Sequence, residues 1–231
     1  MSNLENLFEE FNIPKSYLEK VGDVFWKTQE CNEEGILFYK FNDPESSNEI
    51  KLFNERIQKS KFKICIINND QIRAKDVYAV AAKFDKFQQK CLDAIYTIDK
   101  RLMFFGVTGT NGKTTTVDLV RQLLVASNKN VMTVGTLGIY INKLKVNDFS
   151  LTTPALIDLY KVINKHKENI DYVFMEMSSH ALTQKRFGDI KFEKIAWTNF
   201  SQDHLDYHKT MEEYFEAKSL IRNYVRSDDY I

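Results

Sequence analysis

The residues best equipped for chemistry in this chain lie in one run, GVTGTNGKTTT at residues 106–116. It follows an apolar stretch at 102–107 and opens into an amphipathic one at 114–125. Strand, glycine turn, lysine and helix is the arrangement that holds a nucleoside triphosphate. Backbone N–H groups of the turn and of the helix N-terminus face the phosphates, Lys113 reaches the outer ones, and the Thr114 hydroxyl is a ligand for Mg²⁺. Five of the eight glycines lie between Gly106 and Gly138, so tight-turn chemistry is concentrated here. The strict pattern places glycine five residues before Gly112, where this chain has Val107, so the run is a variant in which Gly109 supplies the early flexibility. A chance glycine-rich turn is the competing reading, and the flanking strand and helix patterns argue against it.

Three further polar clusters fall where apolar strands end, the place at which open α/β sheets bind ligands. Thr152 and Thr153 precede Pro154 and an expected helix; paired hydroxyls there suit a phosphate or carboxylate, although an ordinary helix cap explains them equally well. MEMSSHALTQKR, residues 175–186, puts Glu176 at a strand end, where a buried carboxylate calls for a cation; Mg²⁺ shared with Thr114 would supply it. Ser178, His180, Gln184 and Arg186 follow, and a solvated loop would account for them but not for the glutamate. TNFSQDHLDYH, residues 198–208, holds two of the four histidines. His204 and His208 are four apart, but no general-base glutamate lies between them as in the zinc-protease motif.

Lys218 is the most instructive single residue. The apolar face of the stretch 211–225 runs Met211, Tyr214, Phe215, Ile221, Val225, and Lys218 falls in its middle. Such a lysine ordinarily extends its ammonium to solvent. Held inside, it would lose its proton more readily, and a neutral amine reacts with carbon dioxide to give a carbamate. Spacing alone leaves both readings open.

The elements that must position these groups read as an α/β chain. Residues 35–40 and 62–68 are expected strands, with a helix at 50–58 between them and a second helix at 77–92 carrying Val77, Val80, Ala81, Phe84, Phe87 and Cys91 on one side. A polar patch at 97–101 sets the expected boundary between a small N-terminal α/β domain, residues 1–98, and a central domain, residues 99–231. In the latter, strands at 102–107, 131–134, 172–175 and 192–197 alternate with helices at 114–125, 154–166 and 211–225, and residues 138–146 form a hairpin around Asn142 and Lys143. This predicts a mainly parallel sheet flanked by helices, with another strand starting at 229–231, so that the domain looks truncated.

With 231 residues and 32 basic against 32 acidic side chains, the chain has room for two domains and no basic excess of the kind nucleic-acid binders carry. The N-terminus lacks a signal-peptide pattern and the apolar runs are too short to span a membrane. Cys31, Cys65 and Cys91 share no metal-ligand spacing and read as reduced core thiols. A cytoplasmic protein is expected.

Together the motifs resemble the Mur ligase family, the ATP-dependent amide-forming ligases of peptidoglycan precursor synthesis. The resemblance rests on GTNGKTTT at 109–116, LTTP at 151–154, MEMSSHAL at 175–182, TNFSQDHLDYH at 198–208 and EAKSL at 216–220. SSHALTQKR followed by DHLDYH is most similar to the members that add the third amino acid, diaminopimelate in the commoner Gram-negative form, to UDP-N-acetylmuramoyl-L-alanyl-D-glutamate. The resemblance implies that Gly109, Thr110, Asn111, Gly112, Lys113, Thr114 and Thr115 hold ATP. It implies that Thr152, Thr153, Ser178, Gln184 and Arg186 bind the muramoyl-dipeptide. Thr114 and Glu176 would hold one Mg²⁺, and His204 with a carbamylated Lys218 would serve a second, which makes Lys113, His204 and Lys218 the catalytic set and favours the buried reading of Lys218. It further implies a monomer whose partners are small molecules: ATP, the UDP-muramoyl-dipeptide and an amino acid. Two departures stand out. Where the family carries an Asp-Ser-Arg run before its uridine-binding strand, here GILF at 35–38, this chain has Thr28, Gln29 and Glu30. The family's amino-acid-selecting C-terminal domain would lie past Ile231, so the chain is expected to bind without efficient turnover. A folylpolyglutamate-synthase-type ligase and a non-catalytic binding module are the rival readings.

Overall fold

The computed structural model describes residues 2–19, 21–148 and 152–226; Leu151 of the LTTP motif and the strand expected at 229–231 lie outside them. The chain divides into two compact units, Met1–Thr97 and Ile98–Ile231.

The N-terminal unit contains α1 (Ser2–Glu10), β1 (Asp23–Phe25), β2 (Gly35–Tyr39), α2 (Ser47–Ile57), β3 (Ile64–Ile67), β4 (Val77–Ala79) and α3 (Phe84–Ile95). Its strands form an all-parallel sheet in the order β1-β2-β3-β4. Helices on both faces bury all four residues of the ICII run in β3, which is why that strand reads as continuously apolar instead of alternating. Phe53 of α2 packs with Phe25, Leu37, Phe41, Cys65 and Ile67 on one side. On the other, Phe38 meets Phe84 and Phe87 edge-on and tilted. Ser46 caps α2 by accepting from the Glu49 N–H.

The helix expected from residue 77 begins only at Phe84. Val77–Ala79 is instead the edge strand β4, bound to β3 with Cys65 opposite Val77. The Cys65 N–H donates to the Asp76 carbonyl at 2.8 Å and the Val80 N–H to that of Ile67 at 2.9 Å. A 3₁₀ turn at Ala81–Lys83 leads into α3. Val77, Val80 and Ala81 have a spacing compatible with a helix face, and the free edge of β3 decides for the strand. Of the three thiols, Cys65 and Cys91 are buried, which pushes both up from the ordinary range, whereas Cys31 is only half-buried.

The second unit contains β5 (Met103–Thr108), α4 (Lys113–Ala126), β6 (Val131–Gly135), β7 (Gly138–Ile141), β8 (Leu144–Asn147), α5 (Leu156–His166), β9 (Tyr172–Glu176), α6 (Ser179–Thr183), β10 (Lys194–Trp197), α7 (Leu205–His208) and α8 (Met211–Ser219). The sheet order is β10-β5-β9-β6-β7-β8. The first four are mutually parallel, and the β7–β8 hairpin extends the sheet antiparallel around Asn142, whose φ of 54° suits the turn. Each of the four expected parallel strands shifts by a residue or two at one end or both. More substantially, α5 starts at Leu156 because Pro154 and an extended Ala155 precede it. The expected helix 211–225 tightens after Ser219 into a 3₁₀ turn at Leu220–Tyr224. Phe192 lies outside β10 and makes one parallel rung with Val225: its N–H donates to the Tyr224 carbonyl, and the Arg226 N–H to its own. Register aligns the carboxyl ends of the parallel strands, Val107 opposite both Glu176 and Ala196, and Val134 opposite Met175. Thr108, Gly135, Glu176 and Trp197 therefore end on one rim.

Candidate active site

The glycine turn leaves β5 at Thr108 and enters α4 at Lys113. Gly109 and Gly112 have φ of 139° and 85°, a region that favours glycine, and a Cβ on Gly109 would meet Thr198 Oγ1 at 2.0 Å. That closeness reflects a clasp from the segment after β10. The Thr110 N–H donates to the Asn199 carbonyl at 3.0 Å, the Asn111 N–H to Asn199 Oδ1 at 2.9 Å, and Thr198 Oγ1 to the Asn111 carbonyl at 2.6 Å. Thr110 Oγ1 donates to the Ser201 carbonyl and accepts from the Ser201 N–H. The clasp residues Thr198, Asn199 and Ser201 escaped sequence reasoning as loop-holding groups; their place just after a strand end was the available signal. Gly112 caps α4 without a side chain, so the first-turn N–H groups of α4 have no intrahelical acceptor and face the rim.

Two lysines converge on one oxygen. Lys113 Nζ donates to the carbonyls of Gly109 and Thr110 at 2.9 and 2.8 Å. Lys218 Nζ, on a residue 1% exposed, donates to the same Gly109 carbonyl at 2.8 Å and lies 4.6 Å from the centre of the Tyr214 ring. Burial followed by the neighbouring Lys113 charge lowers Lys218 to about 8, and burial also lowers Lys113. The solvent-reaching reading of Lys218 is thus overturned: α8 turns it inward, below the glycine turn.

Glu176, also 1% exposed, accepts from Thr114 Oγ1 at 2.8 Å and Thr136 Oγ1 at 3.2 Å on Oε2, and from the Thr136 N–H at 2.8 Å on Oε1. These donors satisfy the carboxylate without the cation that its burial seemed to demand. Gly135 makes room, since a Cβ there would meet Glu176 Oε1 at 2.1 Å. Thr136 was not anticipated.

The residues expected to bind the dipeptide divide. Arg186 is held by the Thr153 carbonyl, accepting from Nη1 at 2.8 Å, and by Gln184 Oε1, accepting from Nε at 2.9 Å, which brings Gln184, Arg186 and Thr153 together. Thr152 Oγ1 lies 3.3 Å from Thr136 Oγ1. The hydroxyl of Thr153 is buried and donates to the Glu176 carbonyl at 3.0 Å, so it holds the strand end and is not presented to a ligand. Ser178 caps α6, accepting from the Ala181 N–H.

His204 has a left-handed backbone, φ 52°, and its ring stands edge-on to His180 at 5.1 Å and to Tyr214 at 5.9 Å, the ring that Lys218 also addresses. His208 is buried, with Nε2 2.8 Å from Ser179 Oγ. Burial lowers His180 and His208. Among the described residues, no group of three or more His, Cys, Asp and Glu side chains is placed to hold a metal.

The family model for the Mur ligase middle domain matches residues 107–231, the segment that carries the glycine turn, Glu176 and Lys218. The chain belongs to the Mur ligase family. Similar proteins include UDP-N-acetylmuramoyl-L-alanyl-D-glutamate--2,6-diaminopimelate ligases of Helicobacter pylori, 40% identical over 122 residues (52% of this chain, 27% of the relative), and of Lawsonia intracellularis, 44% identical over 115 residues (49% and 24%). A solved structure of a UDP-N-acetylmuramoyl-L-alanyl-D-glutamate--2,6-diaminopimelate ligase superposes with TM-score 0.71 at 23% identity, covering 88% of this chain and 41% of that one. MurF from Acinetobacter baumannii follows at TM-score 0.60 and 14% identity, covering 96% and 46%. These likenesses establish the shared Mur-ligase fold. This chain spans about a quarter of the length of the curated relatives it matches. No helix among the described residues is long and apolar enough to cross a membrane.

Proposed function

We propose that this chain is the nucleotide- and acceptor-binding part of an ATP-dependent ligase that joins diaminopimelate to UDP-N-acetylmuramoyl-L-alanyl-D-glutamate, the reaction its relatives' names describe. The observation that carries the proposal is the convergence of Lys113 and Lys218 on the Gly109 carbonyl under a turn whose N–H groups face the strand-end rim.

In this reading the turn from Gly109 to Thr115 is a variant phosphate loop. Lys113 leaves the carbonyls of Gly109 and Thr110 and pairs with the outer phosphates. The substrate's D-glutamyl carboxylate attacks the γ-phosphorus, the bond to the β-phosphate oxygen breaks and ADP leaves; the incoming amine then displaces phosphate from the acyl phosphate. Lys113 and the α4 N–H groups offset the charge that spreads over the transferring oxygens. Arg186 and Gln184, already locked together, hold the acceptor's carboxylate end. The oxygen donors of Thr114 and Glu176 suit Mg²⁺, which, when bound, offsets phosphate charge. Lys218 suits carbamylation: its lowered amine can attack carbon dioxide and release a proton, the carbamate nitrogen keeps one N–H for the Gly109 carbonyl, and the Lys113 ammonium offsets the new negative charge. His204, beside the same Tyr214 ring, belongs to that end of the site. The N-terminal unit is assigned the uridine end, on the support of the GILF strand seated as β2.

Calorimetry tests this. UDP-N-acetylmuramoyl-L-alanyl-D-glutamate, with Mg²⁺ and a non-hydrolysable ATP analogue, is expected to bind at micromolar concentration and to bind more weakly to Arg186→Ala. Binding of folate in its place, or of neither, would overturn the assignment.

A further inference from the structure

Three donors meet the buried carboxylate of Glu176, and they are not equivalent. The Thr114 hydroxyl stands on the first turn of α4, beside the N–H groups that face the rim, and donates to Oε2. Thr136, at the turn after β6, takes both oxygens: its N–H donates to Oε1 and its Oγ1 to Oε2. Gly135 permits this by leaving the space that a Cβ would fill. Thr136 Oγ1 is also 3.3 Å from Thr152 Oγ1. A hydroxyl has one proton, and that of Thr136 is shared between Glu176 Oε2, at 3.2 Å, and Thr152 Oγ1, at 3.3 Å, so the bond between the two threonines runs from Thr136 to Thr152.

We propose that Thr136 is a positioning residue, a clamp that keeps the Glu176 carboxylate aimed at the Thr114 hydroxyl and joins it through one hydroxyl to Thr152 on the acceptor side. The inference rests on the reading of Thr114 and Glu176 as the Mg²⁺ and nucleotide end. Converting Thr114 and Glu176 into cation ligands requires the Thr114 hydroxyl to turn its lone pair outward and give up its bond to Oε2. Neither bond from Thr136 depends on the Thr114 hydroxyl, the N–H bond holding Oε1 and the Oγ1 bond holding Oε2 beside it, so the clamp holds Glu176 when its first partner lets go. The same hydroxyl donates to Thr152, which leaves that threonine's own proton and backbone to meet an incoming ligand. Among the described residues, no other hydrogen bond links the Glu176 side chain to Thr152.

The test uses the intact chain and ADP as the probe, titrated by calorimetry with and without Mg²⁺, in wild type, Thr136→Val and Thr136→Ser. Valine keeps the N–H bond and removes only the hydroxyl, and the side chain is exposed, so circular dichroism melting is expected to stay within a few degrees of wild type. In Thr136→Val the gain in ADP affinity on adding Mg²⁺ should fall by about fivefold, with Mg²⁺-free affinity unchanged, as expected for loss of one charge-assisted hydrogen bond at a partly exposed site. Thr136→Ser should restore the gain. A purely structural role would lower both affinities together, and that result overturns the clamp. Equal Mg²⁺ dependence in wild type and Thr136→Val also overturns it while leaving the nucleotide site intact. Wild type that binds no ADP, or binds it without regard to Mg²⁺, overturns the underlying site reading and the clamp with it.

Discussion

The two units solve the same folding problem with different materials. Each is a wholly or mainly parallel sheet covered by helices, yet the buried polar side chains of the first are Thr28, Asn69 and Gln89, scattered, whereas the second buries Thr108, Thr110, Thr133, Thr153, Glu176, Ser179, His208 and Lys218. Most of the latter crowd the rim where β5, β9 and their neighbours end. Polar burial is unfavourable unless every group finds a partner. The second unit meets that demand with a dense hydrogen-bond web around its glycine turn, and the first avoids it with phenylalanine. The difference teaches where chemistry can be read: a core of aromatic rings reports packing, and a core of paired threonines, a glutamate and a lysine reports a site.

Substitutions can break or sharpen this contrast. The largest effect expected is in the first unit: Phe53→Ala should cost about 3–4 kcal/mol in urea denaturation, as for large core truncations, while ADP binding to the folded chain stays at the wild-type level. A parallel loss of ADP binding would show that the two units are not functionally separate. Next, Lys113→Ala should weaken ADP binding at least about a hundredfold, roughly 2.7 kcal/mol, with little change in melting temperature. Lys218→Met should go the other way in stability, raising it by about 1 kcal/mol, because an apolar chain replaces a buried cation while Lys113 still serves the Gly109 carbonyl; a loss of stability would mean that the lysine holds the fold. The smallest effect is in pH. Burial lowers His208 below its unfolded value near 6.5, so the folded state binds fewer protons there. Its contribution is full above pH 6.5 and is lost as pH falls through the lowered value. Glu213 and Asp206 oppose the shift, and His204 and Lys218 add to it. His208→Gln should flatten part of the decline in melting temperature below pH 6.5, with His180 and His166, which burial also lowers, adding to what remains.

Much of the second unit was legible because its signals are local. Gly109, Gly112 and Lys113 announce a turn and a helix start within a few residues, and the β–α alternation follows from apolar runs. Lys218 was ambiguous because periodicity places it on a face without saying what covers that face; only the approach of Gly109, far away in sequence, decides. Thr136 and the Thr198–Asn199 clasp were invisible for the same reason: each acts through partners 40 to 90 residues distant. Glu176 was found, but the donors that satisfy it were not. In the first unit the strand Val77–Ala79 was lost to a helical spacing, since three residues with an apolar one beyond them fit either period, and the free edge of β3 is a tertiary fact.

The sheet order of the second unit also bears on how the molecule behaves in company. β8 and β10 are its two edge strands, and beyond the β10 edge one backbone rung joins Phe192, just before that strand, to Val225. A bare parallel rim invites strands from other molecules. Here Lys194 stands exposed on β10, and Lys145, paired with Asp148 at 2.9 Å, on β8, so each edge carries charged groups that cannot be stripped of water cheaply. A neutral residue at Lys194 is therefore expected to trade solubility for a stickier edge.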